Sequence, residues 1–521
     1  MEACREHKMI DKIKKWIKNP YNAILIALLI ITIFFRLRYL FQESIWVDET
    51  AYYLLAKYIK ETFSFGPFSP FTELRLTSDI VIVFWSFFFN LFTAGRMMAL
   101  TFAVLGIIFS YLIGKEIKNE ILGLLAATLV AFNPYLWFHS SRTLIDSPLT
   151  TMFIICAYFL IKLENKFSLK NLVYLIIALV FTIQTKYVGV LFIFIILIYY
   201  LLKFLLVIQN KKQTLTNLFK SKISLLYLIF LLPLYAVKKI IFEGIGSLQY
   251  DPFFIEQIPI MLSEPIMWLA VFGLIISLFY KKKSYLIIAS WTLLIYAAFS
   301  LHPANHDPRY ILPGIPGIIL LALIGLFEIG DLIQRYTNFD KKIFQMILTI
   351  LLIFITIPIH YETANSMNLR SFYAFTGYDE AGKWIQDNVE DGSTVFVMST
   401  SWANFFSNNL YNRISIDNSA KLKVPEDLIS ELNNYKDRPF YLIIDNWEAG
   451  AQPKWLTPTE ENINNIISMG FELKNVITKK YPLDNQQFTE IYNKIGLFTI
   501  NIDDRNLQEI PAIFIFKKLR G

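Results

Sequence analysis

The sequence predicts a polytopic α-helical membrane protein carrying a C-terminal α/β domain outside the membrane. Three observations lead there. Apolar stretches long enough to cross a bilayer recur along the chain; 55% of its 521 residues are hydrophobic, and its charged share of 17% falls below the soluble norm of about 25%. Lysines gather in the short loops between these stretches, as the positive-inside rule requires. From about Asn368 the hydropathy drops, and short strand-like and helix-like segments alternate. The lysine placement accounts for the net charge of +7 without nucleic acid as a partner. Cys4 lies in the N-terminal tail and Cys156 inside an apolar run, which offers neither a disulfide framework nor a metal motif.

Taken in order, residues 1–20 form a tail with Arg5, Lys8, Lys12, Lys14, Lys15 and Lys18, expected in the cytoplasm. The first apolar run, 21–40, is too long for a cleavable signal and continues into Arg36 and Arg38, so it reads as a signal anchor. It exits with Asp48 and Glu49 on the outer side. Ile80 to Phe92 is apolar but short, and charge decides its place. If it spanned, Lys115/Lys118, Lys162/Lys166/Lys170, Lys211/Lys212/Lys220/Lys222, Lys281/Lys282/Lys283 and Lys341/Lys342 would all face outward, so it is expected in the outer interface. About 11 transmembrane helices follow: 21–40, 95–114, 121–138, 147–162, 171–185, 187–207, 223–242, 262–280, 284–301, 309–329 and 343–361. The membrane domain is then 21–361, with the N-terminus in the cytoplasm and the C-terminal segment outside. No internal repeat is apparent, which weighs against the common transporter plan.

The extracytoplasmic domain is expected over 368–521. A helix begins at Asp379, a strand covers Ser393–Met398, and further strands fall at Phe440–Ile444 and Ala512–Phe516. Helices are expected at Pro425–Leu432 and Pro458–Ile467, the second opened by Thr457 as N-cap with Pro458 at its first position.

Charged residues that cluster on the outer side are the candidates for chemistry. Asp48 and Glu49 either neutralise Arg36 or Arg38, or supply a general base that takes a proton from an acceptor hydroxyl. Adjacent carboxylates on a helix point in different directions, and Asp48 is favoured as the base. Arg142 and Asp146 stand four residues apart, so they either pair with each other or leave Asp146 to cap the following span. Lys186 sits between two apolar runs with no loop around it. A snorkelling lysine is one reading; a lysine facing a lipid phosphate is the other. Arg309-Tyr310 opens a span after a polar loop holding His302 and His306, and arginine binds phosphate through a planar fork of donors. Cations around a phosphate stabilise it as a leaving group, because they neutralise the charge that develops on it.

These residues resemble a known family. Asp48-Glu49, the stretch from Ala94-Gly95-Arg96 through Gly123–Ala127 and Asn133-Pro134 to Arg142 and Asp146, Thr185-Lys186-Tyr187, and Arg309-Tyr310-Ile311-Leu312-Pro313 with Pro316 are similar to the GT-C membrane glycosyltransferases. The likeness is to the protein O-mannosyltransferase and aminoarabinose-transferase branch, and it covers roughly 20–330. It implies a GT-C-like membrane domain and a polyprenyl- or dolichyl-phosphate monosaccharide as donor. Asp48, with Glu49 and Asp146, would be catalytic; Arg142, Lys186, Arg309 and Tyr310 would hold the donor phosphate; His302 and His306 would contact donor or acceptor. In this chain Pro67 and Pro70 are separated where the family often carries a Pro-Pro pair. The Trp-Trp-Asp motif of oligosaccharyltransferases is absent, since Asp445-Asn446-Trp447-Glu448 is a poor substitute, so transfer of a whole oligosaccharide to asparagine is not implied.

The function expected is inverting transfer of a monosaccharide to a hydroxyl at the outer membrane face, the acceptor being a protein, a glycan or a lipid. No cofactor is firmly called for, and a divalent metal is left open because His302 and His306 match no strong ligand spacing. Two other classes compete: a lipid or solute transporter with a large outer domain, and a membrane scaffold whose charged cluster is ion pairing alone.

Overall fold

The structure, a computed structural model, describes residues 19–39, 45–64, 76–206, 252–301, 307–337, 341–371, 376–409, 413–435, 438–446, 452–481 and 508–518. The apolar runs fold as helices whose ends are set by local chemistry. Asn119, Asn133 and Ser168 each turn a side-chain oxygen to a backbone N–H three residues on, capping the helices that follow. Asn133 also ends Glu120–Phe132, and Pro134 starts Pro134–Ser140 at a 62° angle to it. The single span expected over 121–138 is therefore bent. The expected span 262–280 forms as the single helix Glu264–Tyr280, and the helix before it, Phe253–Leu262, meets it at 115° around Ser263, whose φ is 74°.

Among the described residues, seven helices are long and apolar enough to cross a membrane, and up to nine if each bent pair is one span. The protein is a multi-pass membrane protein. Leu169–Thr185 is apolar but only 17 residues long, and the expected span 223–242 lies outside the described residues. Leu91 and Phe92 of the segment expected in the interface, Ile80–Phe92, open the long helix Leu91–Ile117, and the segment's first part lies in Leu76–Ser86, an 11-residue helix. At 1.5 Å per residue it is about 16 Å long, half the hydrocarbon thickness.

The chain divides into two compact units. The first comprises Met1–Arg38, Ser69–Val81 and Arg96–Ala364 and holds the helical bundle. A close crossing joins Glu264–Tyr280 to Ile315–Tyr336, where a Cβ on Gly273 would lie 1.8 Å from the Leu321 carbonyl oxygen. Glycine there lets two backbones touch, the usual device where lipid removes the hydrophobic drive between helices. One end of this bundle is an ion-pair layer. Glu328 accepts from Tyr285 (2.6 Å) and pairs with Lys118 and Lys282, both at 3.2 Å, while Glu164 holds Lys203 at 2.6 Å. Asp146–Asn165 carries Asp146 at its start and Glu164 at the far end, about 27 Å apart along the axis.

The second unit comprises Tyr39–Phe68, Ile82–Gly95 and Asn365–Gly521. Its core is a five-stranded sheet of β1 (Thr394–Val397), β2 (Ser415–Asn418), β3 (Phe440–Asp445), β4 (Phe471–Tyr481) and β5 (Gln508–Lys518), in the order β2-β1-β3-β5-β4. The β2-β1-β3 half is parallel, and β5 and β4 are antiparallel additions. Alternate residues feed opposite faces. Val395, Val397, Tyr441, Ile443, Ile513 and Ile515 pack under Tyr378–Asn388 and Thr400–Phe406. Phe396, Leu442, Ile444, Phe514 and Phe516 pack under Pro425–Asn434 and Glu460–Ser468. The last helix begins two residues later than expected, because Thr459 rather than Thr457 accepts from the Asn462 N–H. Glu460 and Glu461 then meet the positive end of its dipole.

Val47–Thr62, the helix bearing Asp48 and Glu49, belongs to this second unit. Val47 packs against the first sheet face, Tyr53 meets Phe405 with ring centroids 5.4 Å apart, and Lys57 Nζ donates to Asn408 Oδ1 at 2.6 Å.

Candidate functional site

The bundle's candidate site is built on the turn between Pro134–Ser140 and Asp146–Asn165. Residues 141–145 are buried throughout, so their backbone groups need internal partners. Arg96, from an apolar helix, supplies one, and Arg36, from another, ties together the two helices that lead into the turn. Arg96 Nη1 donates to the Ser141 carbonyl at 2.5 Å. Arg36 donates from Nε to Ser140 Oγ (2.7 Å) and from Nη2 to the Ala131 carbonyl (3.0 Å), with its guanidinium 5.5 Å from the Trp137 ring. Arg36 is thus engaged within its own unit by neutral groups, not by the carboxylates first weighed as its partners.

Asp146 is the first residue of its helix, yet Ile145 holds the cap position and the carboxylate turns elsewhere. Lys186 Nζ donates to Asp146 Oδ1 at 2.8 Å, with the lysine side chain 16% and the aspartate 5% exposed. The i, i+4 pairing of Asp146 with Arg142 gives way to this longer-range bond. Lys186 stands at the break between Leu169–Thr185 and the short turn Tyr187–Val190, where its extended backbone frees it from either helix. Arg142 Nη1 donates back to the Phe138 carbonyl at 3.0 Å, and its Cζ lies 3.6 Å from the centre of the Phe138 ring.

Arg309 and Tyr310 enter from the start of another span. Asp307 Oδ1 accepts the Arg309 backbone N–H at 2.9 Å and opens the 3₁₀ turn Pro308–Gly314. Its other oxygen pairs with Arg309 Nε at 2.8 Å. Tyr310 stacks on Phe299 at 6.0 Å and presents its ring to Lys186 Nζ at 5.0 Å. Arg309 and His139 act electrostatically on Asp146, and His139 feels Arg142 and Lys186 as well. Arg142, Asp146, Lys186, Arg309 and Tyr310, named from the sequence, are therefore brought together at one end of the bundle. Among the described residues, cations outnumber carboxylates there, an arrangement suited to an added anion.

In the second unit, Glu49 is fully buried and its carboxylate reaches back to accept the Trp46 backbone N–H at 2.8 Å. That closes the start of its own helix, half of a capping box. Asp48 beside it is half-buried. His302 and His306 lie outside the described residues. Among the described residues no three His, Cys, Asp or Glu side chains gather into a set that could hold a metal.

Sequence reasoning assigned no part to Arg96, His139 or the inward role of Arg36. All three are buried. The signal for the arginines was present, since a charge inside an apolar run faces the bundle interior and marks a site.

Residues 80–237 match the family model of dolichyl-phosphate-mannose-protein mannosyltransferases. Archaeal oligosaccharyltransferase AglB from Archaeoglobus fulgidus, solved with an inhibitory peptide and a dolichol-phosphate, superposes with a TM-score of 0.62 at 12% identity, over 89% of this chain and 73% of its own. ArnT from Cupriavidus metallidurans in the apo state gives a TM-score of 0.56 at 13% identity, over 96% and 98%. The same protein bound to undecaprenyl phosphate gives 0.54 at 12% identity, over the same shares. No curated protein sequence matches. The chain has the fold of these GT-C glycosyltransferases, and the resemblance read from its sequence holds.

Proposed function

We propose that the chain is an inverting glycosyltransferase. It moves one monosaccharide from a polyprenyl- or dolichyl-phosphate donor to an acceptor hydroxyl at the outer membrane face. The observation that carries this reading is the Lys186–Asp146 pair set against Tyr310 and Arg309, with Arg142 beside it. Supporting it are the dolichol-phosphate of the AglB structure and the undecaprenyl phosphate of the ArnT structure. The site's place at helix ends favours it over a transporter, whose charges collect near the midplane in broken helices.

The chemistry is a single displacement. The acceptor oxygen forms a bond to the anomeric carbon, and the bond from that carbon to the phosphate oxygen breaks with its electron pair on the phosphate. Lys186, Arg309 and Arg142 stabilise the charge that develops there. Asp146 holds Lys186 in place. The acceptor proton goes to Asp48, which keeps the role of base because Glu49 is committed to its helix start. One displacement inverts the anomeric centre. Transfer of a whole oligosaccharide is not proposed despite the likeness to AglB. Asp445, which begins the nearest counterpart of the missing motif, is buried at the end of β3 and accepts from Tyr378 Oη at 3.0 Å.

The test incubates the purified protein with a panel of radiolabelled polyprenyl-phosphate sugars beside Asp48→Asn. Wild type should turn over one donor, and the variant should fold but fall by at least about a hundredfold, the usual worth of general-base catalysis. Normal turnover by Asp48→Asn removes it as base. The absence of both turnover and binding, for every donor in the panel, overturns the reading.

A further inference from the structure

Apart from the groups given parts in sugar transfer, the second unit holds a pocket of about 510 Å³ lined by Lys57, Lys60, Glu61, Leu91 and Phe405. Lys57 and Lys60 stand three residues apart on one helix and so share a face. Their hydrogen bonds go to neutral oxygens: Lys57 to Asn408 Oδ1 at 2.6 Å, Lys60 to the Ser86 carbonyl at 2.7 Å. Among the described residues neither ammonium meets a carboxylate. Lys60 Nζ also lies 5.7 Å from the centre of the Phe87 ring. That ring belongs to an unusual run, in which Phe84, Phe87, Phe88 and Phe89 are 43–66% exposed. Aromatic rings beside snorkelling lysines are the mark of a membrane–water boundary, where rings enter the acyl region and ammonium groups stay at headgroup level.

We infer that this pocket binds the phosphodiester headgroup of a membrane phospholipid. The two ammonium groups reach the non-bridging phosphate oxygens through charge-assisted hydrogen bonds. Leu91 and Phe405 form an apolar wall, and Phe84, Phe87 and Phe88 lie among the acyl chains. Glu61 stands on the same rim. The bound lipid anchors the Val47–Thr62 helix at the membrane surface. The inference stands apart from the sugar-transfer reading, since it uses neither Asp48 nor the Lys186 cluster.

The experiment titrates the detergent-purified full chain with phosphatidylglycerol and follows the retained lipid by native mass spectrometry. Wild type should hold the lipid, and K57Q/K60Q should need about 25-fold more, from about fivefold per lysine at an anionic surface. K57R/K60R should retain it, which separates lost charge from lost folding. F87S/F88S, which keeps both cations, should weaken retention of the lipid. Glycerophosphoglycerol, the headgroup without its chains, should not displace it at equal concentration. Equal retention by wild type and K57Q/K60Q overturns the proposal. Displacement by the chain-free headgroup, or by an acidic peptide at equal concentration, overturns it in favour of a soluble ligand.

Discussion

At the scale of single residues, the Lys186–Asp146 bond changes what a lysine between two apolar runs means. Two readings were open from the sequence, a snorkelling side chain or a lysine awaiting a lipid phosphate. The structure adds a third party, an internal carboxylate that fixes the ammonium while leaving two of its N–H groups for a ligand. A buried pair that loses one partner leaves an uncompensated charge, which costs about 3–5 kcal/mol. Asp146→Asn and Lys186→Ala should therefore each lower thermal stability in detergent, and Lys186→Ala should also weaken apparent donor affinity. The informative variant is Asp146→Asn with Lys186→Gln, which buries no charge. It should regain most of the lost stability yet remain inactive, measured by thermal unfolding and donor turnover side by side. Recovery of both would reduce the pair to a structural tie. The partner itself was illegible in the sequence: 40 residues separate the two, and local spacing pointed to Arg142 instead.

Elements were read as well as their signals were local. Helix hydropathy located the spans, but a sliding apolar count passes over a break such as Asn133-Pro134. The cap and proline chemistry for that break was visible all along. β1, β3, β5 and the three expected helices showed clear patterns, whereas β2 is a four-residue polar edge strand and β4 carries irregular register at Leu473/Asn475 and Ile477/Thr478. Those irregularities spoil the two-residue alternation that sequence reading depends on. Glu390 shows how one such sheet is tied to a helix. It follows Tyr378–Asn388 and accepts from Tyr441 Oη at 2.6 Å and Lys517 Nζ at 2.8 Å, on residues directly opposed across β3 and β5. Lys517 first, then Tyr441, lowers its pKa from the usual 4.5 to about 2. A lowered carboxylate pKa stabilises the fold fully above the unfolded value and loses that contribution as pH falls through the folded one. The gap in thermal midpoint between wild type and Glu390→Gln should thus be present at pH 7 and close between about pH 4.5 and 2. Because the side chain is 52% exposed, the gap should correspond to about 1 kcal/mol or less. A gap that is unchanged at pH 2 would mean the clamp does not depend on the carboxylate's charge.

For the whole molecule, sidedness governs whether the sugar-transfer reading can stand, since lipid-linked donor and acceptor must share a face. The orientation rests on lysine counts, and the structure shows that several of those lysines are paired: Lys118 with Glu328 and Asp331, Lys162 with Glu116, and Lys283 with Glu164. Pairing does not weaken the argument, because the positive-inside rule counts Lys and Arg, and acidic residues contribute little. The parity of the chain turns on Leu76–Ser86, whose 11 residues are too few to cross. Between Lys281 and Ser430 run three helices long and apolar enough to span, Lys283–Leu301, Pro308–Tyr336 and Ile343–Asn368, so the two positions are expected on opposite sides. Both are exposed, which makes them good reporters. In a chain with Cys4 and Cys156 replaced, Ser430→Cys should react with an impermeant maleimide in intact cells. Lys281→Cys should react only after permeabilisation. The reverse pattern would make Leu76–Ser86 part of a true crossing and move the Arg142, Lys186 and Arg309 cluster to the cytoplasmic face. Labelling of both from one side would break the three-span count itself. Either result would leave the helical fold intact and remove the outer-face chemistry built on it.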